Sequence, residues 1–184
     1  MAIWSTSAWV LHDLGLAAGF GGALYGKLAL RPAAGEASSR QERGRIINAA
    51  WRRYAPLNLL GHAAFSLTWA TGRKMLSGRS LGRGTRRLVR AKDALVIGSV
   101  ATGVASQILG WAVESDVEGM RLAPEPGGQP APATLRETRA KVRAVSRIGA
   151  ANLLMNAGLI AVTATLAMKS SESNAFPFIG RLLP

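Results

Sequence analysis

Four long apolar stretches, almost free of charge, constrain this chain more than any other feature. Residues 9–30, 54–70, 94–113 and 148–168 hold 22, 17, 20 and 21 residues. A helix rises about 1.5 Å per residue, so each can approach or cross a hydrocarbon core of about 30 Å. Inside them only Asp13 and Lys27 carry formal charge, each within two turns of a stretch end. Ala, Leu and Gly dominate and no period-two alternation runs through any stretch, which sets strands aside. The expectation is an all-α integral membrane protein, with four transmembrane helices arranged as two consecutive helix hairpins in a single domain over 1–184. A buried helical bundle in a soluble protein is the competing reading.

The charge supports the membrane reading by where it falls. The chain is 48% hydrophobic yet carries a formal net charge of +13. A soluble domain this basic would spread Lys and Arg along amphipathic elements to meet nucleic acid. Here the basic residues crowd the intervals between apolar stretches, so no nucleic-acid partner is expected. Arg73 to Lys92 contains eight basic residues and no acid. Arg83, Arg86, Arg87 and Arg90 in it are expected to meet anionic lipid headgroups or an acidic partner surface; topology alone is the plainer role for them. By the positive-inside rule this interval, and with it both termini, belongs in the cytoplasm. Six basic residues in each of the first and third intervals, and a charge-free start, oppose that orientation. Arginine outnumbers lysine 18 to 5, a coding habit of GC-rich bacterial genomes, so the expected location is a bacterial cytoplasmic (inner) membrane, multi-pass.

Residues 1–8 lack Lys and Arg, and His12-Asp13 interrupts the first stretch, so that stretch is expected to remain as a helix rather than act as a cleaved signal. There is no cysteine for a disulfide, thiolate site or nucleophile. Asn58-Leu59-Leu60 with Ala63 recurs 94 positions on as Asn152-Leu153-Leu154 with Ala157. The first and third helices both begin beside a carboxylate, Asp13 after His12 and Asp93 after Lys92, which places a small polar cluster of these four at one membrane face. Together these suggest a parallel two-hairpin repeat, against chance similarity of Ala/Leu-rich helices. Residues 114–134 read as a Pro/Gly-rich loop. Residues 169–184 read as a polar spacer with an apolar end, including Phe176, Phe178 and Leu182, too short to span and suited to a partner groove.

Candidate site residues fall into two sets. Gly15, Gly19 and Ala23 form one small-residue ridge on the first helix; Ala18, Gly22 and Gly26 form another. Such ridges let helix backbones approach closely, and room for a pigment or quinone is the functional counterpart. The intramembrane polar set is His12, Asp13, Asn58, His62, Gln107, Asn152 and Asn156. Such groups must find partners in the bundle interior. Asp13 reads either as a helix-terminal carboxylate or as a proton-relay or ion site. The two histidines invite haem ligation, but pairing the first two stretches end to end separates their heights by about 15 Å, too far to share an iron. Interhelical hydrogen bonding is the plainer role.

No HExxH, paired carboxylates or Asp/Glu-rich magnesium patch is present, so no enzyme is expected. Leu11-His12, leading through Gly15 to Gly21-Gly22, resembles the first helix of small four-helix bacterial membrane proteins of the copper-resistance D type. The second helix lacks a matching metal pattern, and the stretches offer little of the Met or Cys that copper chemistry wants. No cofactor is assigned. The sequence is therefore read as a non-enzymatic membrane accessory or scaffold subunit, packing through its Gly-rich first helix and docking onto other membrane subunits by its tail. A small ion- or proton-coupled transporter using Asp13, His12 and the Asn residues is the alternative.

Overall fold

Helix-forming apolar runs meet their expected neighbours with few interruptions, and the elements are longer than the apolar stretches alone. The computed structural model describes residues 2–76, 82–120 and 136–172. Helix α1 spans Ala2–Tyr25 and continues through a π-helical turn, Gly26–Leu30, into the short α2, Arg31–Gly35. Then come three long helices: α3 Arg40–Leu76, α4 Arg83–Met120 and α5 Arg136–Glu172. Among the described residues there is no strand. At 37 residues α3 reaches about 55 Å, so α3 to α5 extend well past any hydrocarbon thickness.

The extra length on α3 has a local cause. Ser39 accepts a hydrogen bond at Oγ from the Glu42 amide at 3.1 Å, and the Glu42 carboxylate reaches back to the Ser38 amide and hydroxyl. This Ser-x-x-Glu box starts the helix fourteen residues before the apolar stretch does. The Ser38 bonds also hold the Glu42 carboxyl below its ordinary range. Pro56, inside α3, removes one backbone donor where the helix enters its apolar part. The basic interval is likewise partly helical, since Arg83 to Lys92 form the first turns of α4. Residues 114–120 belong to α4 rather than to a loop, and 169–172 to α5. The remainder of the Pro/Gly-rich segment and the apolar tail, with Phe176, Phe178 and Leu182, lie outside the described residues.

The four long helices form a ring. α1 pairs antiparallel with α3 and α4 with α5, and the two hairpins close through α3–α4 and α1–α5 contacts. Leu16, Phe65, Val96 and Leu159, one from each helix, make the buried apolar core, with Trp69, Leu95 and Val100 against it. The bundle is apolar outside as well. Leu14, Leu28, Leu60, Leu67, Ile97 and Leu154 are all more than 60% exposed, while His62, Lys92, Ser99 and Asn156 are buried.

Two helices are long and apolar enough to cross a membrane, over Arg83–Val113 and Arg139–Lys169. Only 17% and 22% of their apolar windows are buried inside the molecule, whereas the core helix of a soluble protein would be mostly covered. Polar residues within the apolar parts of α1 and α3, His12-Asp13 in one and Asn58, His62, Ser66 and Thr68 in the other, lower their average.

Candidate functional site

Glycine decides how closely the first hairpin closes. A Cβ on Gly15 would stand 2.6 Å from the Gly61 carbonyl oxygen and 3.1 Å from the Phe65 amide nitrogen. α1 and α3 therefore touch backbone to backbone. About two and three turns further on, Gly22 and Gly26 leave seats for Tyr54 and Trp51, which pack edge to face with centroids 5.9 Å apart. The Tyr54 hydroxyl donates to the Ala18 carbonyl, and Ala18 also lies against Gly61. Gly19 faces away from α3, toward the Asn156 amide of α5 at ordinary contact distance. Ala23 is half-buried. Replacing Tyr54 by Phe removes one hydrogen bond but keeps the ring in its seat. It should cost about 1 kcal/mol in detergent unfolding.

The polar residues gather in two layers inside the ring. In the first, Lys92 is 1% exposed. Its Nζ donates to His12 Nε2 at 3.0 Å, across the diagonal from α4 to α1. That fixes the imidazole: Nδ1 carries the hydrogen and points at the Phe65 carbonyl and Thr68 Oγ1, both 3.1 Å away. Thr68 can accept because its own proton goes to the Ala64 carbonyl at 2.6 Å. The ammonium also lies 4.3 Å from the Trp69 ring centroid and 5.9 Å from that of Trp9. Beside it, Asp93 accepts from Trp69 Nε1 at 2.8 Å and from Arg73 Nε at 3.1 Å. Asp13 is exposed and exerts a favourable charge interaction on Lys92 without forming an ion pair.

The second layer lies deeper. His62 Nδ1 donates to the Asn58 carbonyl at 2.8 Å. Ser99 Oγ donates to Asn156 Oδ1 at 2.9 Å. Asn152 Nδ2 donates to the Ser99 carbonyl at 2.8 Å and to Thr102 Oγ1 at 3.0 Å. Asn156 Nδ2 donates to Asn152 O and Oδ1, both at 3.0 Å. α4 and α5 are thus stitched together by neutral groups, with His62 of α3 beside them and Gly19 of α1 against Asn156. Asn58 contributes its backbone here, and Gln107 is half-buried and takes no part among the described residues.

The two histidines stand closer than end-to-end pairing of the stretches implies. That pairing set His62 opposite residue 22 of α1. The glycine seats shift the register, so that Gly15 meets Gly61 and His12 meets Phe65 and Thr68. Both imidazoles touch the Phe65 ring, at centroid distances of 6.4 and 5.2 Å. They still do not converge, because each Nε2 points into its own layer. Among the described residues no group of three His, Cys, Asp or Glu could hold a metal ion.

Lys92 stands beside His12, as the sequence places it, while Trp69, Ser99, Thr102 and Gly103 belong to these layers and escaped the sequence reading. Lys92 lies two residues outside an apolar stretch, and what its position did not disclose is its full burial. The signal that could have found it is the seven-residue spacing of Lys92, Ser99 and Ser106, which puts all three on one side of α4. Arg83, Arg86, Arg87 and Arg90 are exposed on the first turns of the same helix. No protein family, curated protein or solved structure matches this chain.

Proposed function

We propose that this chain is a four-span membrane protein serving as a non-enzymatic accessory or scaffold subunit of a larger membrane assembly. The observation that carries the membrane part is the inverted polarity of the bundle. Large apolar side chains face outward on all four helices, while Lys, His, Asn and Ser fill the interior. Water would reverse that arrangement; hydrocarbon favours it. Aromatic side chains support spans in α1 and α4 as well. Exposed Trp9 and Tyr25 are 16 residues apart on α1, about 24 Å, and exposed Trp111 stands near the far end of α4, as interfacial belts require.

The parallel two-hairpin repeat gains support from residues the sequence comparison did not use. The offset of 94 that relates Asn58 to Asn152 also relates His62 to Asn156 and Phe65 to Leu159. In both helices the later residue of the polar pair donates back to the carbonyl of the earlier one. The offset of 80 between Asp13 and Asp93 also relates Leu16 to Val96 and His12 to Lys92.

The accessory role rests on the absence of a catalytic set in the sequence and on the apolar end at 175–184. Burying Phe176, Phe178, Ile179, Leu182 and Leu183 favours docking by about 1.5 kcal/mol apiece before ordering costs. Pro177 and Gly180 disfavour the regular amphipathic helix of a membrane anchor, so a groove on another subunit is the better sink. Deleting 175–184 should release the protein from its complex in mild detergent and leave the bundle folded. Co-purification of the truncated chain at full stoichiometry would refute tail docking. The exposed Arg83, Arg86, Arg87 and Arg90 fit anionic headgroups at the cytoplasmic face of a bacterial inner membrane. Changing all four to Gln should weaken binding to anionic vesicles in a salt-sensitive way, measured by flotation at low and high salt. Equal flotation of wild type and variant would leave these charges a topological role only.

A further inference from the structure

At His62 the hydrogen bonding of the interior does not close. The Nδ1 hydrogen is committed to the Asn58 carbonyl, so Nε2 is a bare lone pair in a side chain 3% exposed. Its nearest polar neighbours, Ser99 Oγ and Asn152 Nδ2, are both 3.5 Å away. Neither has a hydrogen to spare. The Ser99 proton goes to Asn156, and both hydrogens of the Asn152 amide go to the Ser99 carbonyl and Thr102. On the remaining side stands Gly103, where any side chain would collide with Nε2.

Two further polar atoms extend this pattern along the bundle. Ser106 Oγ on α4 and Thr163 Oγ1 on α5 are buried with no hydrogen-bond partner among the described residues. Thr163 lies toward the end of α5 beside the Lys92 layer, and Ser106 two turns beyond Ser99 on the opposite side of His62. From Lys92 to Ser106 the polar side of α4 covers about 21 Å, most of a hydrocarbon core. Buried acceptors and hydroxyls left open in hydrocarbon are costly, and ionisable ones there mark ion and proton pathways.

We propose that the bundle interior binds and passes protons, with His62 Nε2 as the central acceptor. One proton arrives at Nε2 and makes the imidazolium; the same proton leaves from the same nitrogen and restores the neutral ring. The Nδ1–H bond neither forms nor breaks. Ser99 Oγ, which already donates to Asn156, still has lone pairs to accept the new Nε2–H, so the charged form gains a partner the neutral form lacks. Every group facing His62 is neutral: Asn58 and Phe65 from its own helix, Ser99 and Gly103 from α4, Asn152 from α5; from α1, Gly15 packs on the adjoining Gly61. The titratable groups next along the interior are His12 and Lys92 beyond Phe65, with Asp13, Asp93 and Arg73 around them. At Gly103 an added Cβ would stand 2.4 Å from Nε2, so only glycine fits against the ring.

The inference rests on the four-span reading, and the two can fail separately. Vesicle flotation and protease protection test the spans; proton flux tests this site. Full-length protein in liposomes loaded with a pH-sensitive dye is given an inside-negative potassium diffusion potential. Wild type should acidify the lumen at least about tenfold faster than protein-free vesicles. His62→Gln should return the rate to background, and Gly103→Ala should do so with every titratable group intact. Wild-type flux at the protein-free level, or a folded His62→Gln variant that conducts like wild type, overturns the proposal. Nitrogen NMR of labelled His62 gives a reading independent of the variants' folding. It should show Nε2 binding and releasing a proton, with Nδ1–H present throughout. An Nε2 that binds no proton down to the acid limit of the folded bundle, holding a water at most, also overturns it.

Discussion

Gly15→Val should separate α1 from α3 and cost about 3 kcal/mol, the upper end of overpacking penalties. The reason is what the new atoms would strike. A Cβ at Gly15 meets the Gly61 carbonyl oxygen at 2.6 Å, the Ala64 Cβ at 3.1 Å and the Phe65 amide at 3.1 Å. Backbone cannot swing aside as a lysine tip can, so the helices must part. Parting them also withdraws His12 from Phe65 and Thr68 and opens the seats that hold Tyr54 and Trp51. Gly61→Val should behave alike, since its Cβ would meet the Gly15 carbonyl at 2.9 Å. Controls lie on α1 and α4. Gly21 and Gly110 have nothing within 4 Å of an added Cβ, so alanine there should be neutral or stabilise by up to about 1 kcal/mol through helix propensity. Thermal unfolding in detergent, followed by circular dichroism, reads all four. A Gly15→Val protein that melts with wild type would show that the helices do not touch at this point.

Those contrasts mark what the sequence could and could not disclose. The small-residue periodicity of α1 is visible because spacing four is a property of one helix. Which ridge meets which neighbour is not, because that depends on register between helices. Register here is fixed by Tyr54 and Trp51 entering notches at Gly22 and Gly26, pairs separated by 32 and 25 positions. Estimating it from the ends of apolar stretches failed because α3 begins with the Ser39–Glu42 box rather than at the first apolar residue. Lys92 was legible as a neighbour of His12 at one face of the bundle, but not as a buried residue. A hydropathy boundary sorts lysine with the solvent, whereas the fold draws its stem inward along α4 and caps the ammonium with His12 and two indoles. Asn152 and Asn156 were legible as a pair because they lie four apart on one helix. Their partners Ser99 and Thr102 were not, since serine and threonine can satisfy themselves on their own helix and give no pattern.

The Lys92–His12 contact yields the second large effect, and its size depends on which partner is removed. His12→Leu leaves an ammonium, 1% exposed, without its acceptor. The Trp69 face at 4.3 Å remains, but no carboxylate among the described residues forms an ion pair with Lys92; Asp93 is held by Trp69 and Arg73. Stranding a buried cation costs about 3 kcal/mol or more. Lys92→Met removes the charge and keeps most of the stem's volume. It strands only a neutral lone pair on His12, at about 1–2 kcal/mol. With both changed, neither charge nor lone pair is left, and the double variant His12→Leu/Lys92→Met should be more stable than His12→Leu alone. The cycle should therefore give a coupling of about 2 kcal/mol, measured by reversible unfolding in mixed micelles. Equal losses for the two single variants, adding without coupling in the double, would mean that the ammonium finds another acceptor and that this contact does not hold α1 to α4.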